Sequence, residues 1–165
     1  MVKSIGEHVD LYLNHITPGP NDPTYSVLKA HLLFEEMLRG YLRGKLPNAA
    51  ALDGARLSFS QRLALCRSLT PVEQIQGWLW TGVEKLNTLR NYLAHGAGSK
   101  DLEKEIDKYV KFVVDAAGAP LPEPTAHTTS STSSIQSKSP NYLAVDMVTI
   151  RMYYLLAGGL GFKVD

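Results

Sequence analysis

The stretch that decides the fold is residues 70–96, TPVEQIQGWLWTGVEKLNTLRNYLAHG. Within it Ile75, Leu79, Gly82, Leu86, Leu89 and Leu93 recur at alternating steps of four and three, the spacing that lines one side of an α-helix with apolar groups. Thr70-Pro71-Val72-Glu73 has the chemistry of a helix start: a hydroxyl cap, a proline with no N–H to lose, and a carboxylate that reaches back to the first turn. Gly96 supplies a left-handed stop. The spacing therefore predicts one long core helix from about Thr70 to Ala94 or His95.

Outward from this helix the chain keeps the same period. After Gly96-Ala97-Gly98, Ser99 caps a second amphipathic run to about Ala117, with Leu102, Ile106, Tyr109, Val110 and Val113 on one face and Lys and Glu on the other. On the amino-terminal side, Asp22-Pro23 opens a helix to about Arg43, whose apolar stripe reads Leu28, His31, Leu32, Leu38 and Leu42 and unusually contains Glu35. Ser58 to Leu69 reads as a shorter helix that fills a gap in the core, and Ser4-x-x-Glu7 starts a first helix carrying Ile5, Val9, Tyr12 and Ile16. The expectation is an all-α bundle of about five helices over residues 1–117.

Residues 118–140 are dominated by Ser, Thr and Pro and hold almost no bulky apolar side chain, the composition of a flexible linker. Residues 141–165 turn apolar again, through Tyr142, Leu143, Val145, Met147, Val148, Ile150 and Met152. Ser139-Pro140 can cap this segment as a helix, whereas its β-branched residues also permit a strand; helix is the favoured reading, with docking on the bundle, a partner subunit or a protein inhibitor. Asp146 and Arg151 interrupt the run, which argues against a membrane span.

The 165 residues are 44% hydrophobic and 20% charged, with a formal net charge of +1. That balance excludes a strongly basic arm or an acidic tail, so any polyanion site has to be local. The single cysteine, Cys66, lies among apolar residues and leaves no disulfide framework or cysteine zinc site. No secretory signal run follows Met1, and the chain reads as cytoplasmic. His8 and His15 lack a carboxylate at ligand spacing, and Gly158-Gly159-Leu160-Gly161 has no strand before it or helix after it, so neither a metal nor a cofactor is expected.

Two features point to chemistry. Between Met37 and Val72 stand Arg39, Arg43, Lys45, Arg56, Arg62 and Arg67 against the single acid Asp53, a local basic set suited to nucleic-acid phosphates or simply to a solvated face. The long helix ends Leu89-Arg90-Asn91-Tyr92-Leu93-Ala94-His95-Gly96. At about 100° per residue Asn91 and His95 share a face, while Arg90 lies about 140° from His95 and near the apolar edge. An arginine there needs a carboxylate, and Glu35 is the natural partner, with Arg39 four residues away as its competitor. Taken alone, His95 is a C-terminal imidazole that, when protonated, is favoured by the last helical carbonyls by about 0.3–1 kcal/mol.

Arg90-Asn91-x-x-x-His95-Gly96 resembles the motif of the HEPN family (higher eukaryotes and prokaryotes nucleotide-binding domain), over roughly Tyr25 to Val114. The portion with His31 to Leu38 and Ser58-Phe59-Ser60-Gln61-Arg62 looks closest to the mannitol-repressor-like branch. The resemblance implies a helical bundle that forms a homodimer with facing motifs and, in many members, a metal-independent endoribonuclease of toxin or defence type. In that reading His95 moves the proton, Arg90 stabilises the phosphorane, Asn91 orients His95, and RNA ends in a 2′,3′-cyclic phosphate. Ala97 stands where one subset of the family carries a tyrosine that accepts a nucleotide. The alternative is a non-catalytic dimeric regulatory or scaffolding module with Arg90 locked to Glu35.

Overall fold

The computed structural model describes residues 23–95, 99–120 and 140–163. It contains α1 (Pro23–Lys45), α2 (Phe59–Ser68), α3 (Gly77–Ala94), α4 (Ser99–Ala117) and α5 (Pro140–Gly159), with short 3-10 turns at Ala49–Leu52 and Val72–Gln74 and no strand among the described residues. The all-α bundle expected from periodicity is therefore what forms. The helix expected over residues 4–16, the Gly96 stop and residues 121–139 of the expected linker lie outside the described residues.

Four helices close a ring: α1 packs on α3, α3 on α4, α4 on α5, and α5 back on α1, while α2 lies across α1 and α3. The ring exists because each helix offers an apolar stripe. Phe34, Met37 and Leu38 of α1 meet Val83 and Leu86 of α3, Ile106 and Val113 of α4, and Val148, Met152 and Leu156 of α5 in one buried core. Gly82 sits in the α3 stripe because a Cβ there would come within 2.8 Å of Met152 Cε; the missing side chain lets the α5 methionine lie over the α3 backbone.

The carboxy-terminal apolar segment is helical and belongs to this core, with Val145, Val148, Met152, Tyr153, Leu156 and Ala157 all buried. Arg151 donates to the Ala119 carbonyl at 2.8 Å, placing a cation just past the end of α4, and Asp146 is buried on the preceding turn. Among the described residues no helix is long and apolar enough to cross a membrane.

Two sequence expectations shift. The long helix starts at Gly77 rather than Thr70, because the Thr70 hydroxyl closes the end of α2 instead: it donates to the Cys66 carbonyl four residues back at 2.7 Å and lies 2.8 Å from the Tyr41 hydroxyl of α1. Residues 71–76 instead form a connector. Ile75 is extended and buried, and Gln74 Nε2 donates to the Gly159 carbonyl at 2.6 Å, which fastens the connector to the end of α5. On α1, Leu28 and Leu32, expected in the core stripe, are 41% and 60% exposed. This helix carries apolar residues on more than one side, and the side of Val27, Ala30, Phe34 and Met37 wins because it meets two neighbours, α3 and α5.

Candidate functional site

Where α2 crosses α1 and α3 the molecule opens a cleft of about 560 Å³. Each wall follows from helical spacing. On α1, His31 and Glu35 are one turn apart; on α3, Asn87, Arg90 and Asn91 fall at steps of three and four, so each set shares a face. The third wall is loop 55–58 and the first turn of α2. There a capping box fixes the helix start: Ser58 Oγ accepts from the Gln61 N–H at 3.2 Å and Gln61 Oε1 accepts from the Ser58 N–H at 2.8 Å. The start so fixed turns Ser60 and Arg62 into the cleft.

A half-buried ion pair joins α2 to α1. Arg62 Nη1 lies 2.6 Å from Glu35 Oε1, with the two side chains only 15% and 21% exposed, and Arg39 reaches the same oxygen at 3.2 Å. This corrects the expected Glu35–Arg90 pair. The Glu35 carboxylate is occupied by Arg62, which α2 delivers directly over it, and by Arg39 of its own helix. Arg90 donates instead to Asn91 Oδ1 at 3.2 Å. Among the described residues neither Arg90 nor Arg56 forms an ion pair with a carboxylate. The walls thus hold three guanidinium groups, of Arg56, Arg62 and Arg90, against the one carboxylate of Glu35.

The floor is a neutral polar chain. The His31 ring stacks on Phe59 with centroids 4.2 Å apart, and its Nε2 lies 3.0 Å from Asn87 Oδ1. With the amide oxygen toward it, Nε2 carries the hydrogen and donates. Asn87 Nδ2 in turn donates to Ser60 Oγ at 3.2 Å. Burial pushes the His31 imidazole below its ordinary value of 6.5, the Asn87 hydrogen bond opposes that, Arg90 adds to it, and Glu35 opposes it. His31 is therefore neutral at pH 7, and Ser60, already an acceptor, keeps its hydroxyl hydrogen free to donate into the cleft.

The cleft brings together Arg90 and Asn91 of the expected triad with Arg56 and Arg62 of the basic set. It does not bring in His95. That residue is the exposed C-cap of α3, its N–H bonded to the Asn91 carbonyl at 3.2 Å, one turn beyond the cleft wall. The Asn91 side-chain oxygen is engaged by Arg90. Arg39 and Arg43 line an adjoining hollow of about 200 Å³, Arg67 lines another of about 430 Å³ between α2 and α3, and Lys45 extends over the Tyr41 ring with its Nζ 5.6 Å from the centroid. Sequence reasoning did not assign His31, Asn87 or Ser60 to a site; the one signal was the polar pair His31 and Glu35 inside an apolar stripe.

No protein-family model, curated protein or solved structure matches this chain.

Proposed function

We propose that this is an HEPN-like protein that holds RNA by its phosphates in the cleft between α1, α2 and α3 and cuts it without a metal, two motifs acting together in a homodimer. The observation that carries the reading is that Arg56 and Arg90 line the same cleft and that, among the described residues, no carboxylate is paired to either. A guanidinium so placed is a ready partner for phosphate oxygens, because it gives up no strong ion pair to bind them. The Ser60 hydroxyl and the Asn91 amide nitrogen add neutral donors in the same cleft.

In the cutting step the RNA 2′-oxygen attacks phosphorus, the O2′–P bond forms and the P–O5′ bond breaks. His95 accepts the 2′-hydroxyl proton, and a protonated imidazole, such as the His95 of a second copy, donates to the leaving 5′-oxygen. Arg90 offsets the charge that gathers on the phosphorane oxygens. The products are a 2′,3′-cyclic phosphate and a 5′-hydroxyl. The exposure of His95 at the helix end supports this role, since a proton-transfer group must be reachable by substrate.

One observation favours a second reading, a non-catalytic dimeric regulatory or scaffolding module resembling mannitol-repressor-like proteins: His95 is not among the cleft walls. Incubating an RNA pool in EDTA with wild type, His95→Ala and Arg90→Ala, with folding checked by circular dichroism and product ends identified, separates the two. Cyclic-phosphate ends that vanish in both folded variants support the nuclease. Intact RNA with a folded wild-type dimer moves the reading to the binding module.

A further inference from the structure

Resting on the RNA reading above, we infer that the cleft is the middle of a longer groove that takes a single RNA strand across α1, α2 and α3, with Arg43 at one end and Arg67 at the other. Three hollows share walls. The hollow of Arg39, Arg43 and Asp53 meets the cleft at Ala55, Leu57 and Arg62. The cleft meets the hollow of Arg67, Glu84 and Thr88 at Ser60 and Asn87.

The charges along this path differ in how firmly they are held. Arg43 and Asp53 lie 3.2 Å apart with side chains 70% and 66% exposed, and Arg67 and Glu84 lie 3.6 Å apart at 56% and 52%. Pairs so open to water contribute little and exchange readily, so a phosphate can take either terminal guanidinium. The Arg62–Glu35 pair is half-buried and short; it stays closed and forms the joint between the first two hollows. The path therefore presents exchangeable arginines at its ends and, at its centre, Arg56 and Arg90, which no carboxylate among the described residues pairs with.

Length and lining favour one strand. The ten residues of α2 rise about 15 Å, room for a few successive phosphates of one strand. A duplex is too stiff to follow three hollows separated by ridges, whereas a single strand bends into each. Phe59, the aromatic ring at the floor, is buried beneath His31 and offers no open stacking face. Recognition is then led by the backbone, strongly salt-dependent and tolerant of base sequence.

The test is fluorescence anisotropy of labelled 2′-O-methyl oligouridylates, which lack the 2′-hydroxyl needed for cutting, at about four and about sixteen nucleotides over a range of salt. The proteins are the full chain and its Arg90→Ala, Arg43→Ala, Arg67→Ala and Lys111→Ala variants, the last on the exposed side of α4. Arg90→Ala is expected to weaken both lengths. Arg43→Ala and Arg67→Ala are expected to leave the short oligomer unchanged and to weaken the long one, each lowering its log–log salt slope by about 0.7. Lys111→Ala is expected to change neither. Loss in Arg90→Ala with no effect of Arg43→Ala or Arg67→Ala on the long oligomer overturns the groove and leaves the single cleft standing. Equal loss in Lys111→Ala overturns it as diffuse charge. Binding to polyglutamate as tight as to the long oligomer, or no binding at all, removes the RNA reading beneath it.

Discussion

The two sides of α1 present opposite solutions to packing a helix. Toward α5 the contact is dry: Phe34 meets Tyr153 edge to face with centroids 5.8 Å apart, and Val27, Ala30 and Met37 are buried beside it. Toward α2 the contact is polar: His31 bonds Asn87, Glu35 holds Arg62 and Arg39, and the junction stays open as the cleft. Apolar burial needs no orientation and tolerates small shifts, whereas each polar group must find its partner or lose its hydration for nothing. One helix therefore carries stability on one side and a site on the other, and substitutions on the two sides should fail in different ways.

The largest effect is expected on the dry side. Phe34→Ala removes a fully buried ring and should cost about 3–5 kcal/mol in urea unfolding; a loss below about 1 kcal/mol would mean that α5 does not pack there. On the polar side, Glu35→Ala leaves the half-buried Arg62 guanidinium without its counter-ion and should cost about 1–3 kcal/mol. Pairing that change with Arg62→Ala should recover part of the loss, because no charge is then left unpaired; simple additivity would sink the idea that the pair joins α2 to α1.

A smaller effect follows from His31, whose folded imidazole titrates below 6.5. Between its lowered folded value and 6.5 the unfolded chain binds the proton and the folded chain does not, so stability falls as pH drops below about 6.5. His31→Gln should flatten the dependence of melting temperature on pH between about 7 and 5, and an unchanged slope would assign it to other groups. The smallest effect on stability belongs to Arg90→Ala, within about 0.5 kcal/mol of wild type, since among the described residues its guanidinium bonds to the neighbouring Asn91 and to no carboxylate. The same change should weaken RNA binding about tenfold, the scale of one hydrogen bond to a charged group. A variant that loses stability and binding together would erase the distinction between the two sides.

The same contrast governs what could be read from sequence. The α3 stripe and the α4 face were legible because an apolar stripe needs only period, and Leu79, Gly82, Leu86, Leu89, Leu102, Ile106, Tyr109 and Val113 are all buried. The start of α3 was not. Thr70 satisfies local capping rules, yet its hydroxyl bonds back to the Cys66 carbonyl of α2 and meets Tyr41 of α1. The partner of Glu35 was equally out of reach. Arg90 and Arg62 both fit the need for a cation, and the path of α2 across α1 decides for Arg62. Arg90 and Asn91 were found as a motif, whereas His31 and Asn87 are joined across 56 positions and have no local pattern to announce them. The segment 141–165 had no clear period because α5 is apolar almost all round, which suits a helix buried on several sides.

The ring of helices also sets an order of events in time. Its closing contact joins α1, the first described helix, to α5, the last, and such distant contacts return nothing until most of the intervening chain has been gathered in. During synthesis Phe34 and Met37 emerge early and wait for Tyr153 and Met152, so the interval before α5 emerges is when this chain most needs protection from its neighbours.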